Sequence, residues 1–276
     1  MVTNKHNIPE AIVKFAESKE KTEYVENRYS VTELLLPTRE IQLLRLHNGE
    51  LEEDVSDMIM ALFGTAAHKI LEENAPSENA EVKFETQVGE FTIVGVADLI
   101  TEDAIEDYKF TTTTKVQKQD FEDYRKQGLI YAWLNYLKTG DIKRKLRFHM
   151  LLKDWSKIKA NVITGYPTSP IYTWEYNIQD SDYDYIEKYV KDKLADIKDN
   201  KNPQCSDEER WFTGNKYAVF KKTGDTRAAY VADTEEDAHN YISNKCGGAG
   251  EIQMRPGDNI KCKYYCKVSK YCYGGK

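Results

Sequence analysis

Asp98, Asp107 and Lys109 are the residues of this chain best suited to chemistry. The two acids stand nine residues apart, near the ends of two apolar runs, 91–100 and 104–110, that read as the arms of a hairpin. A two-residue turn at Glu102-Asp103 sets an antiparallel register with Asp98 directly opposite Asp107, close enough to share a cation. Lys109 lies two residues beyond Asp107 and shares its face, while Glu106 and Tyr108 point the other way. A slip of one residue would exchange the two sets and offer Glu106 instead. Adjacent carboxylates repel unless a cation sits between them. Mg²⁺ or Mn²⁺ would neutralise the pair, offset charge on a phosphate and acidify a bound water. The amine would orient that water or balance developing negative charge. Such a set suits metal-dependent hydrolysis of a phosphodiester.

An Asp-x-Lys triplet alone is common on surface hairpins, so its meaning depends on the elements around it. A helix at 54–73 precedes the hairpin, with Met58, Leu62, Ala66 and Ile70 at a helical period. It carries His68, and Gly64-Thr65-Ala66-Ala67 forms a small-residue patch suited to close packing on a sheet. A first strand at 81–88 turns at Gly89-Glu90 into the run 91–100. A helix at 119–138 follows the hairpin and carries Gln127 and Tyr131; then come strands at 145–155 and 171–178 and a helix at 180–199. Upstream, Ser30 with Glu33 three residues on resembles a capping box, and Pro37 ends or kinks that helix. The fold class is α/β, in the order helix, three strands, helix, strand.

His68, Gly95-Val96-Ala97-Asp98, Ile105-Glu106-Asp107-Tyr108-Lys109 and Gln127-Gly128-Leu129-Ile130-Tyr131, taken in that order, resemble the PD-(D/E)XK nuclease superfamily. Within it they look like the RecB-like exonucleases of bacteria and phages, over roughly residues 30–200. The resemblance implies a restriction-endonuclease-like core and a Mg²⁺/Mn²⁺-dependent deoxyribonuclease. It implies metal binding by His68, Asp98, Asp107 and the Tyr108 carbonyl, and a water-activating role for Lys109. Gln127 and Tyr131 would position lysine or substrate. DNA recombination or end processing, a single-strand-annealing partner and a ring-shaped oligomer are also what it implies.

The chain is acidic overall, with a net charge of −7, yet residues 109–160 hold thirteen Lys or Arg against five Asp or Glu. Lys115, Lys118, Arg125, Lys143, Arg144 and Lys145 are the candidate contacts to a phosphate backbone. A solvated face is the plainer account of the same charges. No apolar segment is long enough to span a membrane and no signal-peptide core opens the chain, so the expectation is a cytoplasmic protein; the resemblance implies a bacterial cell or phage-infected host.

All five cysteines lie at or after Cys205. Cys262, Cys266 and Cys272 with Cys205 make a four-thiolate set for Zn²⁺ or a 4Fe-4S cluster, with a disulfide as the alternative, and Cys246 stands apart. The tail resembles the C-terminal cysteine triad of RecB-like iron-sulfur nucleases, which implies a structural cluster. Its aromatic residues Tyr264, Tyr265, Tyr271 and Tyr273 are candidates either to pack around that site or to stack on bases. Asn202-Pro203 marks the boundary between a nuclease-like domain, 1–200, and a small α+β cysteine-metal module, 201–276. An exonuclease is the favoured reading, beside a structure-specific endonuclease and a non-catalytic nucleic-acid-binding module.

Overall fold

A computed structural model describes residues 2–19, 23–74, 79–222 and 224–272; Tyr273 lies outside the described residues. The chain divides into two units, Met1–Asn202 and Pro203–Lys276. The first unit runs β1 (Val2–Thr3), α1 (Glu10–Lys19), β2 (Arg28–Ser30), α2 (Val31–Leu34), α3 (Thr38–Leu46), β3 (Glu53–Asp54) and α4 (Ile59–Asn74). It continues β4 (Ala80–Val88), β5 (Phe91–Ile100), β6 (Ala104–Thr111), α5 (Thr113–Lys118) and α6 (Glu122–Thr139). β7 (Lys145–Leu152), α7 (Lys157–Val162), β8 (Ile171–Asn177) and α8 (Asp180–Lys198) complete it. This is a mixed α/β fold on a six-stranded mixed sheet, ordered β2-β5-β6-β7-β8 with β4 also on β5.

Strand β7 shows why the sheet is covered on one side. Leu146, Phe148, Met150 and Leu152 are buried, and the residues between them are half-buried. That alternation is what one packed face imposes on a strand. Helix α6 lies between the sheet and α8 and buries an unbroken run from Gln127 to Asn135. A helix enclosed on two sides loses the one-sided pattern of a surface helix. Gly128 permits the approach, because a Cβ there would come 2.8 Å from Leu146 Cδ1. From α8, Ile186, Val190 and Leu194 recur every four residues and join the same core.

Strand β5 is paired along one whole edge by β4, from Ala80↔Leu99 to Val88↔Phe91. Two partners share its other edge. β2 runs parallel to Thr92–Val94, and β6 takes only Leu99 and Ile100. The stretch from Gly95 to Asp98 lies between those partners. Val31 of α2 and Tyr131 of α6 close over it; a Cβ on Gly95 would sit 2.8 Å from Val31 Cγ2 and 2.9 Å from Tyr131 Cε1. The Ser30 hydroxyl accepts from Glu33 N–H (3.1 Å), so the expected capping box starts α2 beside this stretch.

Helix α4 departs from expectation. It begins at Ile59, because the Asp54 side chain is engaged by Lys5 N–H and Ser56 N–H and initiates a 3₁₀ turn at Val55–Met58. Its described side chains include no fully buried residue, and Ile70 is 61% exposed. The small-residue patch is not a close-packing surface, since a Cβ on Gly64 would meet nothing within 4 Å.

In the second unit β9 (Lys216–Phe220) is flanked by β10 (Tyr230–Ala232) and β11 (Glu251–Arg255), all antiparallel. Helix α9 (Glu235–Lys245), capped by the Thr234 hydroxyl, packs on them through Ala238 and Ile242 against Val219 and Ala232. A short α10 (Ile260–Tyr264) and a 3₁₀ turn at Ser269–Tyr271 follow.

Candidate active site

The hairpin β5–β6 pairs Leu99 with Glu106 and Ile100 with Ile105. Extended by one step, this register sets Asp98 opposite Asp107. The turn closes at Thr101 N–H to Ala104 C=O (2.9 Å), around Glu102 and Asp103. Beyond Leu99 the ladder between the two strands stops. The Asp98 carboxylate instead accepts the Tyr108 N–H at 2.8 Å, so a side chain takes the place of a backbone rung where the strands part.

Asp107 is 4% exposed, and its Oδ2 has no hydrogen-bond partner. Lys109 Nζ lies 2.7 Å from that oxygen as a charge contact, without the angles of a directed hydrogen bond. Burial pushes the Asp107 carboxyl up to about 6; Lys109 opposes the rise and the Asp98 charge adds to it. Lys109 gives its hydrogen bond to Gln127 Oε1 at 2.8 Å. Its ammonium also stands 5.5 Å from the Tyr124 ring and 5.8 Å from the Phe148 ring.

Gln127 and the Val96 backbone hydrogen-bond to the Tyr131 phenol, which burial drives up to about 12. A chain of contacts thus runs Tyr131–Gln127–Lys109–Asp107. From α4, His68 Nδ1 reaches to 3.3 Å of Asp98 Oδ2. That contact raises the imidazole pKa, against the effect of burial.

The structure therefore brings together His68, Asp98, Asp107, Lys109, Gln127 and Tyr131. Asp107 and Asp98 supply hard oxygen donors, and the orphaned Asp107 oxygen suits a divalent ion. The acids stand as two pairs, His68 with Asp98 and Lys109 with Asp107. Among the described residues no group of three His, Cys, Asp or Glu is arranged to hold a metal. Glu106 lies on the other face, where Arg147 donates to it and His149 Nε2 lies 3.0 Å from Oε2. Tyr124, which the sequence pattern places on the broad face of α6, was not among the candidate site residues. Its place one helical turn before Gln127 is the signal that identifies it, and burial lifts its phenol to about 12.

The candidate phosphate contacts fare differently. Lys143 is 6% exposed and donates to Thr101 C=O (2.8 Å) and Glu102 C=O (3.0 Å), so it fastens the hairpin turn instead of facing solvent. Arg125 is held by Asp182 at 2.5 Å and ties α6 to the start of α8. Arg144 pairs with Asp180 at 2.6 Å and Lys145 with Asp103 at 3.4 Å. Lys115 pairs with Asp123 at 3.0 Å and lies 4.5 Å from the Tyr124 ring, while Lys118 is exposed. The dense basic run is thus matched by acids distant in sequence, which a local count of charges cannot register.

Cys205, Cys262, Cys266 and Cys272 are all half-buried in the second unit, as is Cys246. The quartet is not drawn into a metal-binding group of three or more. Among the described residues no helix is long and apolar enough to cross a membrane.

No family model and no curated protein matches the chain. Among solved structures it is similar to SSO0001, at 20% identity and a TM-score of 0.45, covering 67% of this chain and 83% of that one. It is also similar to the alkaline exonuclease LHK-Exo from Laribacter hongkongensis, at 11% identity and a TM-score of 0.36, covering 63% and 89%. The complex of LHK-Exo with dAMP gives 12% identity and a TM-score of 0.38 over the same shares. These likenesses are distant in sequence and in fold.

Proposed function

We propose that the first unit is a divalent-metal-dependent deoxyribonuclease that degrades DNA from its ends. The observation that carries this reading is Asp107: a buried carboxylate with an oxygen that has no hydrogen-bond partner, within electrostatic reach of Asp98 and beside Lys109. A Mg²⁺ or Mn²⁺ ion on Asp98 and Asp107, with His68 and the Tyr108 carbonyl, would offset phosphate charge and acidify water. Asp98 orients itself through the Tyr108 N–H. Lys109 holds a proton at Nζ next to the place where negative charge develops, and Gln127 fixes that amine by accepting its hydrogen bond. Tyr131 in turn fixes Gln127.

The four cysteines Cys205, Cys262, Cys266 and Cys272 are proposed, on donor chemistry alone, as a structural site for 4Fe-4S or Zn²⁺. Metal analysis of anaerobically purified protein separates iron, zinc and neither.

The activity is tested with linear and closed-circular DNA, in Mg²⁺, Mn²⁺ or chelator. Loss of linear DNA alone, with metal alone, is the expected result. Asp107→Ala or Lys109→Ala should lower the rate about 10³-fold, as removal of a group that balances transition-state charge does. Cleavage of the circle would make the protein an endonuclease. Tight DNA binding without cleavage under either metal would make it a binding module and overturn the proposal.

A further inference from the structure

The second unit presents a cluster of exposed aromatic rings. Trp211 is 51% exposed, Tyr264 71% and Tyr265 63%. Large aromatic rings gain by burial, so three in one neighbourhood facing solvent are unusual unless something covers them. Trp211 also has φ = 52°, the left-handed region that bulky side chains avoid. Hydrogen bonds hold it there. Trp211 N–H donates to Glu208 C=O (3.0 Å) and its carbonyl accepts from Ile260 N–H (3.4 Å). Lys261 N–H donates to Arg210 C=O (3.1 Å), and Phe212 bridges to Asn259. The turn bearing Trp211 is thereby stitched to the start of α10, whose far end presents the two tyrosines. The Trp211 and Tyr265 rings stand 5.1 Å apart at 56°.

Charge points to the partner. Residues 255–272 contain Arg255, Lys261, Lys263, Lys267 and Lys270 against one acid, Asp258, which Lys263 engages; the Trp211 turn carries Asp207, Glu208 and Glu209, with Arg210 on Asp207. Lys263, Lys267 and Lys270 are exposed on the same stretch as the tyrosines. Ring faces set among cations match the two needs of a single strand, stacking for its bases and neutralisation for its phosphates. A duplex keeps its base faces covered and can use only the cations.

We propose that Trp211, Tyr264 and Tyr265, with Lys261 and Lys267, form a stacking platform for single-stranded nucleic acid in the second unit, independent of cleavage activity. The test uses the full chain in chelator, with fluorescence anisotropy of a labelled oligo(dT) and of a duplex of equal length. Trp211→Ala combined with Tyr265→Ala should weaken oligo(dT) binding roughly tenfold or more, the scale of losing two stacked bases. Duplex binding should stay within about twofold, since the phosphate contacts remain. Trp211→Phe should retain most of the affinity because it keeps a ring face. Thermal melts establish that each variant is folded. A folded double variant with unchanged oligo(dT) affinity would overturn the proposal, as would an equal loss on duplex. Neither outcome bears on whether Asp107 supports cleavage.

Discussion

Glu106 and Asp107 are neighbours on one strand, 6% and 4% exposed, yet they face opposite sides of the sheet and opposite electrostatic fates. Arg147 and His149 satisfy Glu106, and Arg147 is itself held by Glu175 at 2.7 Å. The Tyr108 ring stacks on His149 at 5.4 Å and completes that face. Asp107 has an oxygen without a hydrogen-bond partner and a carboxyl that resists ionising. Burial of a charge is tolerated where its partners are fully supplied and is costly where they are not. A satisfied carboxylate fastens three strands together. An unsatisfied one keeps coordination capacity for something else, which is what the proposed metal site requires.

The sharpest way to break this contrast is to exchange the effects of the two acids. Asp107→Ala should abolish hydrolysis on the scale given above, whereas Glu106→Gln should leave it within about tenfold at a temperature where the variant is folded. Equal losses would mean that both faces serve the reaction. Stability should divide the other way. Glu106→Ala removes the acid on His149 and one of those on Arg147, which keeps Glu175, and should cost about 2 kcal/mol in urea unfolding, the scale of lost hydrogen bonds to a charged group.

The pH dependence of Asp107 sharpens the same point. Its pKa in the folded protein lies above the unfolded value, so it supports the fold most while it stays protonated, and that contribution is lost as pH rises through about 6. In chelator, Asp107→Asn should therefore melt higher than the parent at pH 7.5 and show little advantage at pH 4. Mg²⁺ should narrow the gap at pH 7.5 by stabilising the parent alone. A variant less stable than the parent at pH 7.5 would contradict an under-satisfied Asp107. The smallest effect belongs to Gln127→Ala. It frees Lys109 without removing it, so kcat should fall about tenfold with KM little changed.

Much of the core was readable because the relevant signals are local. The hairpin register follows from the turn, and it decides whether Asp107 or Glu106 lies across from Asp98; Lys109 shares a face with Asp107 in any register. The Ser30 cap and the α6 motif are equally local. What could not be read depends on distant partners. The basic run at 143–147 reads as a phosphate track in sequence, and its pairing with Asp103, Glu106, Glu175 and Asp180 is not visible there. The α4 stripe kept helical spacing, but spacing does not say whether a neighbour covers the face; Met58 and Leu62 are half-buried, and Ala66 and Ile70 are exposed. The sharing of one β5 edge by β2 and β6 was likewise invisible, since it joins segments more than sixty residues apart.

The Lys143 ammonium that grips the Thr101 and Glu102 carbonyls has a consequence for biosynthesis. It lies forty-two residues downstream of Thr101, so the turn that aligns the acids is locked only after that much more chain has been made. At ordinary rates of translation the delay is roughly 2–8 s. During that interval the turn rests on its own hydrogen bonds, Thr101 N–H to Ala104 C=O and Ala104 N–H to the Thr101 hydroxyl, while the lysine that fastens it has yet to leave the ribosome.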